Sequence, residues 1–485
     1  MSFNPEESIQ ALCDDFQTLV AFATDEQGRA AQAVEAHLFN NLLKMGAQLL
    51  RLYFESQAAQ QSKDPVPQAD GVPLRYHGKR RRSYFSVFGK IHFERAYFYA
   101  AGAGGSTPLD DQLELPQACY SALLCDWACF AVTDQSYEAS AALLAHILGV
   151  RLPKLAIEQI VARQAAAVAA FYAQKPPPKP EEEGPILVVQ ADGKGVPMRA
   201  PASQQVRRGK GDKRTKKKEA VVTALYSVDR YRRTPQQVAA TLMRQGPQDD
   251  TVSRPVPEDK HLWATLSGKD AALVQLAQQA QRRDGAHIVD RVALTDGAIA
   301  LQQRVAAQFP EFTLVLDVIH AVEYLWKAAN ALLGERHARR PQWVSQHLEA
   351  ILSGEVAQVI AQLEHDLASR RLSVRRREAV ETTIGYYRRN AGHMRYDVYL
   401  RRGWPIASGV VEGACRHLVK DRMEQSGMRW SREGAQHVLD LRAVRLNGDW
   451  SRYQGYLRQR KRAPYPEEAH VTPLVSEQPE LRCAA

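Results

Sequence analysis

The stretch ALTDGAIALQQRVAAQFPEFTLVLDVIH, residues 293–320, decides how the rest of the chain is read. An apolar run leads to Asp296, and a second, FTLVL, leads to Asp317; both have the length and content of strands. Between them Ile299, Leu301, Val305 and Phe309 recur at roughly helical spacing, and His320 follows one turn into the next helix. Alternating strand and helix favours parallel pairing in a sheet covered by helices, where residues at the carboxyl ends of adjacent strands converge on one crevice. The stretch therefore brings two carboxylates to the same sheet edge.

Each residue also has a plain structural explanation. Asp296 before Gly297 has the form of a helix cap, Asp317 can cap the helix after it, and His320 alone reads as a packed or surface histidine. Chemistry at this edge requires carboxylates from elsewhere in the chain.

Length and composition set the frame. A chain of 485 residues is too long for one core, and 45% hydrophobic with 24% charged residues is ordinary for a globular protein. No apolar run reaches membrane-spanning length, and MSFNPEESIQ lacks the features of a signal peptide, so a cytoplasmic, nucleoid-associated protein without a membrane partner is expected. The six cysteines include no Cys-x-x-Cys pair, which argues against disulfides and a zinc ribbon. A net charge of +10 points to a polyanionic partner.

Outward from the central stretch, residues 6–60 read as about two helices, and RRRSYFSVFGKIHFERAYFYA as a hairpin turning at Gly89-Lys90. One hairpin face carries Arg80, Arg82, Tyr84, Arg95, Tyr97 and Tyr99, a pattern that either clamps a nucleic-acid backbone or packs across strands. SYEASAALLAHILGVRLPKLAIEQIVARQ breaks at Gly149 and restarts at Pro153, the grammar of a helix-turn-helix or of a plain helical hairpin, with Arg151 and Lys154 favouring DNA. QKPPPKPEEEGP is a linker, and ILVVQADGKGVPM then opens a new domain with a strand ending on Asp192. RRGKGDKRTKKK places eight basic residues in twelve positions: Arg207, Arg208, Lys210, Lys213, Arg214, Lys216, Lys217 and Lys218, a loop suited to phosphate. Residues 263–283 read as a helix, and beyond His320 about 80 residues are helical and arginine-rich. A last helix begins near Gly409 with Glu412 in its first turn, followed by Arg416, Lys420, Arg422 and Trp430.

Asp192, Asp296 and Glu412 make a set of three acids with no thiol, which suits hard divalent cations and two-ion attack on a phosphodiester. In these motifs the chain resembles the DDE transposases of bacterial insertion sequences, particularly the ISKra-type branch with its Mutator-like, ribonuclease H-like core. ADGKGVPM resembles the element carrying the first acid, LTDGAIALQQRVAAQFPEFTLVLDVIH the second acid with an Asp-x-x-His element, and SGVVEGACRHLVKDRM the third. The resemblance spans roughly residues 75–455. It implies Asp192, Asp296 and Glu412 as catalytic ligands of two Mg2+ or Mn2+ ions, with Asp317 and His320 in support; Asp317 is the alternative second ligand.

The fold class so implied is α/β, or α+β overall, with a ribonuclease H-like mixed sheet flanked by helices. Its segments are a helical region to residue 70, a hairpin module over 71–115, a helix-turn-helix-like DNA-binding domain over 116–175, and a linker over 176–185. A catalytic domain follows over 186–325, a helical insertion over 326–403, a completing helix over 404–450, and a tail over 451–485. The implied activity is cleavage and joining of transposon ends to target DNA by a homodimer or higher oligomer; the alternatives are a silent DNA-binding regulator and a nuclease without strand transfer.

Overall fold

The computed structural model describes residues 4–25, 28–68, 71–199, 217–244, 253–425 and 427–460. It divides into two units, one of residues 1–126, 144–150 and 452–485, the other of residues 127–143 and 151–451. The proline-rich stretch 174–185 lies within the second unit: Glu183 is buried there on Arg283, and Lys175 pairs with Asp449 at 2.7 Å.

The first unit opens with helices α1 (Pro5–Ala23) and α2 (Ala31–Ala59). A hairpin of β1 (Arg75–Ser86) and β2 (Gly89–Ala100) is extended by β3 (Gly104–Ser106). Its turn is Val87-Phe88, two residues before the expected position, because Ser86 pairs with Gly89 and Gly89 takes the positive φ of 112° that closes the turn. The arginine-aromatic face resolves in favour of packing. Arg82 and Arg95 both bind Asp110, from the short helix α3 (Pro108–Gln112), at 2.5 and 2.6 Å, while Phe54 of α2 stacks on Phe93 at 4.5 Å.

Helices α4 (Ala122–Asp134), α5 (Tyr137–Leu148), α6 (Lys154–Ala165) and α7 (Val168–Gln174) follow. Gly149 ends α5 at a φ of 68°, and Pro153 sits one position ahead of α6 as its cap. Ile157, Ile160 and Val161 of α6 are buried, so one face of the expected recognition helix is committed to the core of the second unit.

That unit is built on five strands: β4 (Ile186–Pro197), β5 (Lys217–Val228), β6 (Glu258–Thr265), β7 (Asp290–Thr295) and β8 (Thr313–Leu316). The order is β6-β5-β4-β7-β8, with β4, β5 and β6 antiparallel in turn and β4, β7 and β8 parallel. The result is the expected mixed α/β sheet with helices on both faces. Between strands lie α8 (Pro235–Leu242), α9 (Lys269–Arg283) and α10 (Ile299–Gln308). β6 and α9 replace the single helix expected over 263–283; β6 is an edge strand whose Asp259, Lys260 and His261 hide the strand pattern.

β4 is buried on both sides, which explains its unbroken apolar run. Leu187, Val189 and Ala191 pack on α9 and α10 through Leu273, Leu276, Leu301 and Val305. Ile186 and Val188 join the opposite core with α11 (Val318–Leu333), α12 (Arg340–Leu352), α13 (Val356–Ser369), α14 (Val374–Asn390) and α15 (Tyr396–Arg402). The arginine-rich segment expected as an insertion is thus helical and shares one hydrophobic core with the sheet. The chain returns through α16 (Gly409–Ala414), a π-helical turn (Cys415–Lys420), α17 (Asp421–Met423), α18 (Arg432–Leu446) and α19 (Trp450–Arg460).

Candidate active site

Strand register aligns the acids. Ile186 pairs with Asp290 and Gln190 with Leu294; two residues further along, Asp192 stands level with Asp296. Thr295 pairs with Leu316, so one residue on, Asp296 stands level with Asp317, and the Asp317 amide donates to the Thr295 carbonyl at 2.9 Å. Neighbouring strands lie about 4.8 Å apart. Asp192, Asp296 and Asp317 therefore follow the last shared rungs of three neighbouring parallel strands, at their carboxyl edge. Asp192 is not strand-terminal as expected, since β4 runs on to Pro197 beside β5, but it lies just past the last rung that β4 shares with β7.

The capping explanation holds for Asp317 and fails for Asp296. Asp317 Oδ1 accepts the Ile319 amide at 2.8 Å as the cap of α11, whereas Asp296 Oδ1 accepts the Ala298 amide at 2.9 Å ahead of α10, whose cap position is Ala298 itself. Each bond occupies one oxygen of its carboxylate and leaves the other for further contacts. Gly297, with a φ of 83°, makes the turn; a Cβ there would sit 2.6 Å from the Tyr386 hydroxyl, which donates to the Asp296 carbonyl at 2.9 Å.

Glu412 joins this edge from α16. The Ser408 hydroxyl lies against Asp317 Oδ2 and, at 2.9 Å, Glu412 Oε1. A hydroxyl has one proton to donate, so Ser408 donates to one of the two carboxyl groups at a time, while its amide also donates to Asp317 Oδ2. Burial pushes the Asp317 pKa up, and Glu412 adds to the rise, against hydrogen bonds from Ser408 and the Ile319 amide and the charge of His320. Among the described residues, Asp317, His320 and Glu412 offer ligand atoms all within 4.8 Å of one another. Asp192 and Asp296 are outside that group. Asp192 reaches the same helical segment through Cys415, whose Sγ donates to Oδ2 at 3.3 Å. Burial, and then the Asp192 charge, push the Cys415 thiol pKa up.

Ser408 occupies the cap position of α16 without capping it. Buried Gln190 of β4 acts in its place: Oε1 accepts the Val411 amide at 2.9 Å while Nε2 donates to the Tyr226 hydroxyl at 2.9 Å. The helix carrying Glu412 is thereby fixed to the strand carrying Asp192. Ser408, Gln190, Cys415 and Tyr386 were not singled out from sequence. A serine just ahead of a helix start was the one available signal, and it points to a cap.

The DNA-binding candidates divide. Arg207, Arg208, Lys210, Lys213, Arg214 and Lys216 lie outside the described residues; Lys217 pairs with Glu424 at 2.5 Å, and Lys218 is half-buried. Arg151 is exposed, Lys154 pairs with Glu138 at 3.1 Å, Arg416 is exposed 4.0 Å from Asp421, and Lys420 is exposed. Arg422 and Trp430 depart from expectation. Arg422 is fully buried, donates to the Val132 carbonyl at 2.8 Å, and lies 4.8 Å from the Trp430 ring centre. Trp430 is buried too and donates to the Met423 carbonyl at 3.1 Å. Both hold α17 and its flanks in the core, because Arg422 faces inward where Arg416 and Lys420 face out.

Residues 33–264 match the model of an uncharacterised protein family (UPF0236). No curated protein matches the chain. Among solved structures the chain is similar to the Drosophila P element transposase strand transfer complex, at 9% identity and a TM-score of 0.24, over 72% of this chain and 84% of that one. Among the described residues no helix is long and apolar enough to cross a membrane.

Proposed function

We propose that this chain is a divalent-cation-dependent DNA strand-cleaving and strand-joining enzyme, a transposase acting on the ends of an insertion sequence. The supporting observation is that Asp192, Asp296 and Asp317 follow the last paired residues of three neighbouring parallel strands, with Glu412 tied to Asp317 through Ser408. Asp192, Asp296 and Glu412 offer carboxylate oxygens and no thiol, a donor set that fits Mg2+ or Mn2+. When bound, a pair of such ions supplies Lewis acidity for in-line attack on a phosphodiester.

Asp192, Asp296 and Glu412 hold the ions in this reading. Asp296 is half-exposed and only its Oδ1 accepts an amide, whereas buried Asp317 uses one oxygen on the Ile319 amide and the other on Ser408. Asp317 is therefore the positioning residue: it holds the Ser408 hydroxyl against Glu412, with His320 beside it. Arg151, Arg416, Lys420 and the basic run 207–218 supply phosphate contacts. The acting species is an oligomer on paired ends.

The test is Mn2+-dependent nicking and joining of DNA carrying the inverted repeats that flank the gene. Asp192→Ala and Glu412→Gln abolish both while the melting temperature holds. Asp296→Asn removes Mn2+ binding measured by electron paramagnetic resonance, and Asp317→Asn retains it. Cleavage at the wild-type rate by Asp192→Ala or Glu412→Gln overturns the assignment.

A further inference from the structure

We infer that α1 and α2 form a dimerisation face whose partner is the same face of a second copy of this chain. On α1, Ile9, Phe16 and Val20 are exposed; on α2, Leu42, Leu49 and Tyr53 are exposed, with Phe39 beside them. Their exposure runs from 45% to 56%. Each trio has the spacing i, i+7, i+11, which at 100° per residue confines it to a stripe about 40° wide.

The helices pack as an antiparallel pair, fixed by Gln48 on Asp15 at 2.8 Å and by Phe22 stacked on His37 at 3.8 Å. Asp15 lies six residues after Ile9, and Gln48 six after Leu42, so each contact sits about 120° from its stripe in the same rotational sense. Phe22 and His37 each sit about 140° from theirs, again in the same sense. In antiparallel helices, equal rotations from the contact put both stripes on one side. The result is a continuous two-helix apolar face, with Leu12 and Leu19 buried behind it.

Size and charge identify the occupant. Seven large side chains about half exposed offer on the order of 600 Å2 per copy, or about 1,200 Å2 for two, at the threshold of a specific interface. Helix α1 carries Glu6, Glu7, Asp14 and Asp15 and no lysine or arginine, which disfavours DNA and anionic lipid. The C-terminal sequence KRAPYPEEAHVTPLVSEQPELRCAA has four prolines and no helical apolar repeat to match the stripes. A second two-helix face has the complementary shape, and two such pairs related by a twofold axis make a four-helix bundle.

The inference does not depend on the catalytic reading. The experiment is sedimentation of the full chain without DNA, at about 10 μM. Wild type sediments as a dimer of the 54.3 kDa chain, and Phe16→Glu/Leu49→Glu weakens association at least 100-fold with an unchanged thermal melt. Phe16→Ser/Leu49→Ser, a milder pair, shows the same direction should the charged pair fail to fold. A chain lacking residues 461–485 remains dimeric. A monomeric wild type, a dimer that survives both substituted pairs, or a dimer lost only with residues 461–485 overturns the inference.

Discussion

Replacing Gln190 by Met tests whether the Glu412 helix is positioned by the strand beneath it. Methionine matches the glutamine's length and removes both polar contacts, leaving the Val411 amide in a buried first turn where Ser408 provides no side-chain cap. An orphaned buried amide costs about 1–3 kcal/mol, and the lost Tyr226 contact adds about 1, so the second unit loses roughly 2–4 kcal/mol. For a unit of this size that is a fall of about 4–10 °C in melting temperature, within the stability of an ordinary fold. The larger effect falls on the site. α16 loses its anchor one residue from Glu412, and displacing a reacting group by about 1 Å costs on the order of 100-fold in rate. Mn2+ affinity, read by electron paramagnetic resonance, is expected to weaken at least tenfold, with strand cleavage down about 100-fold. Tyr226→Phe, which removes only the hydroxyl, leaves the Val411 contact and should keep Mn2+ affinity within twofold. A Gln190→Met protein that melts lower yet binds Mn2+ like wild type would show that Gln190 merely packs.

Other consequences follow from charges placed by the fold. Burial raises the Asp440 pKa to about 7 against hydrogen bonds from Gln436 and Trp263. A carboxyl raised in the folded state favours folding when protonated, so stability falls as pH rises from about 4 to about 7 and then levels. Asp440→Asn should flatten melting between pH 5 and 8 and add roughly 2–4 kcal/mol at pH 8; an unchanged profile would refute it. Burial alone would raise Asp110, but hydrogen bonds from Arg95 and Thr107 and the Arg82 charge hold it below the usual carboxylate range. Its contribution is present above the unfolded value and is lost as pH falls through the folded one. Asp110→Asn should therefore cost about 3 kcal/mol at pH 7 and remove part of the acid limb below pH 4 in a melting series. Lys420→Ala should reduce the salt slope of DNA binding by about one, whereas Arg422→Met should leave that slope unchanged and lower the melting temperature. A salt slope that falls with Arg422→Met would place its guanidinium at the DNA after all.

The parts of the fold that were legible in the sequence share one property. β4, β7 and β8 are parallel and covered on both sides, so their apolar runs are continuous and stand out. β6 is exposed over Glu258–Lys260, and the polar residues of that end leave it merged with the helix that follows. The helices of 318–402 were legible as helices, but their shared core with Ile186 and Val188 was not, since that depends on which stripe faces the sheet. The hairpin is legible, but the partner of Arg82 and Arg95 is Asp110, a residue of the short helix α3 with no signature of its own in the sequence.

The acids show the same boundary more sharply. That Asp192, Asp296 and Asp317 approach strand ends follows from apolar runs stopping at a carboxylate; that their strands are neighbours with those ends on one edge follows only from long-range pairing, which no local pattern encodes. Arg422 was grouped with Arg416 and Lys420 by composition, although six residues from Arg416 and two from Lys420 is the spacing of a different helix face, and spacing alone therefore argued for separating it. Ser408 was the reverse case. Local rules assign a serine ahead of a helix to the first-turn amides, and the fold instead turns its hydroxyl to two carboxyl groups and brings Gln190 across from the sheet to accept the amide. A cap moved from its usual residue to a distant strand couples helix position to strand position. That coupling is the physical reason Glu412 and Asp192, more than two hundred residues apart in sequence, can be held in one arrangement before any ligand arrives.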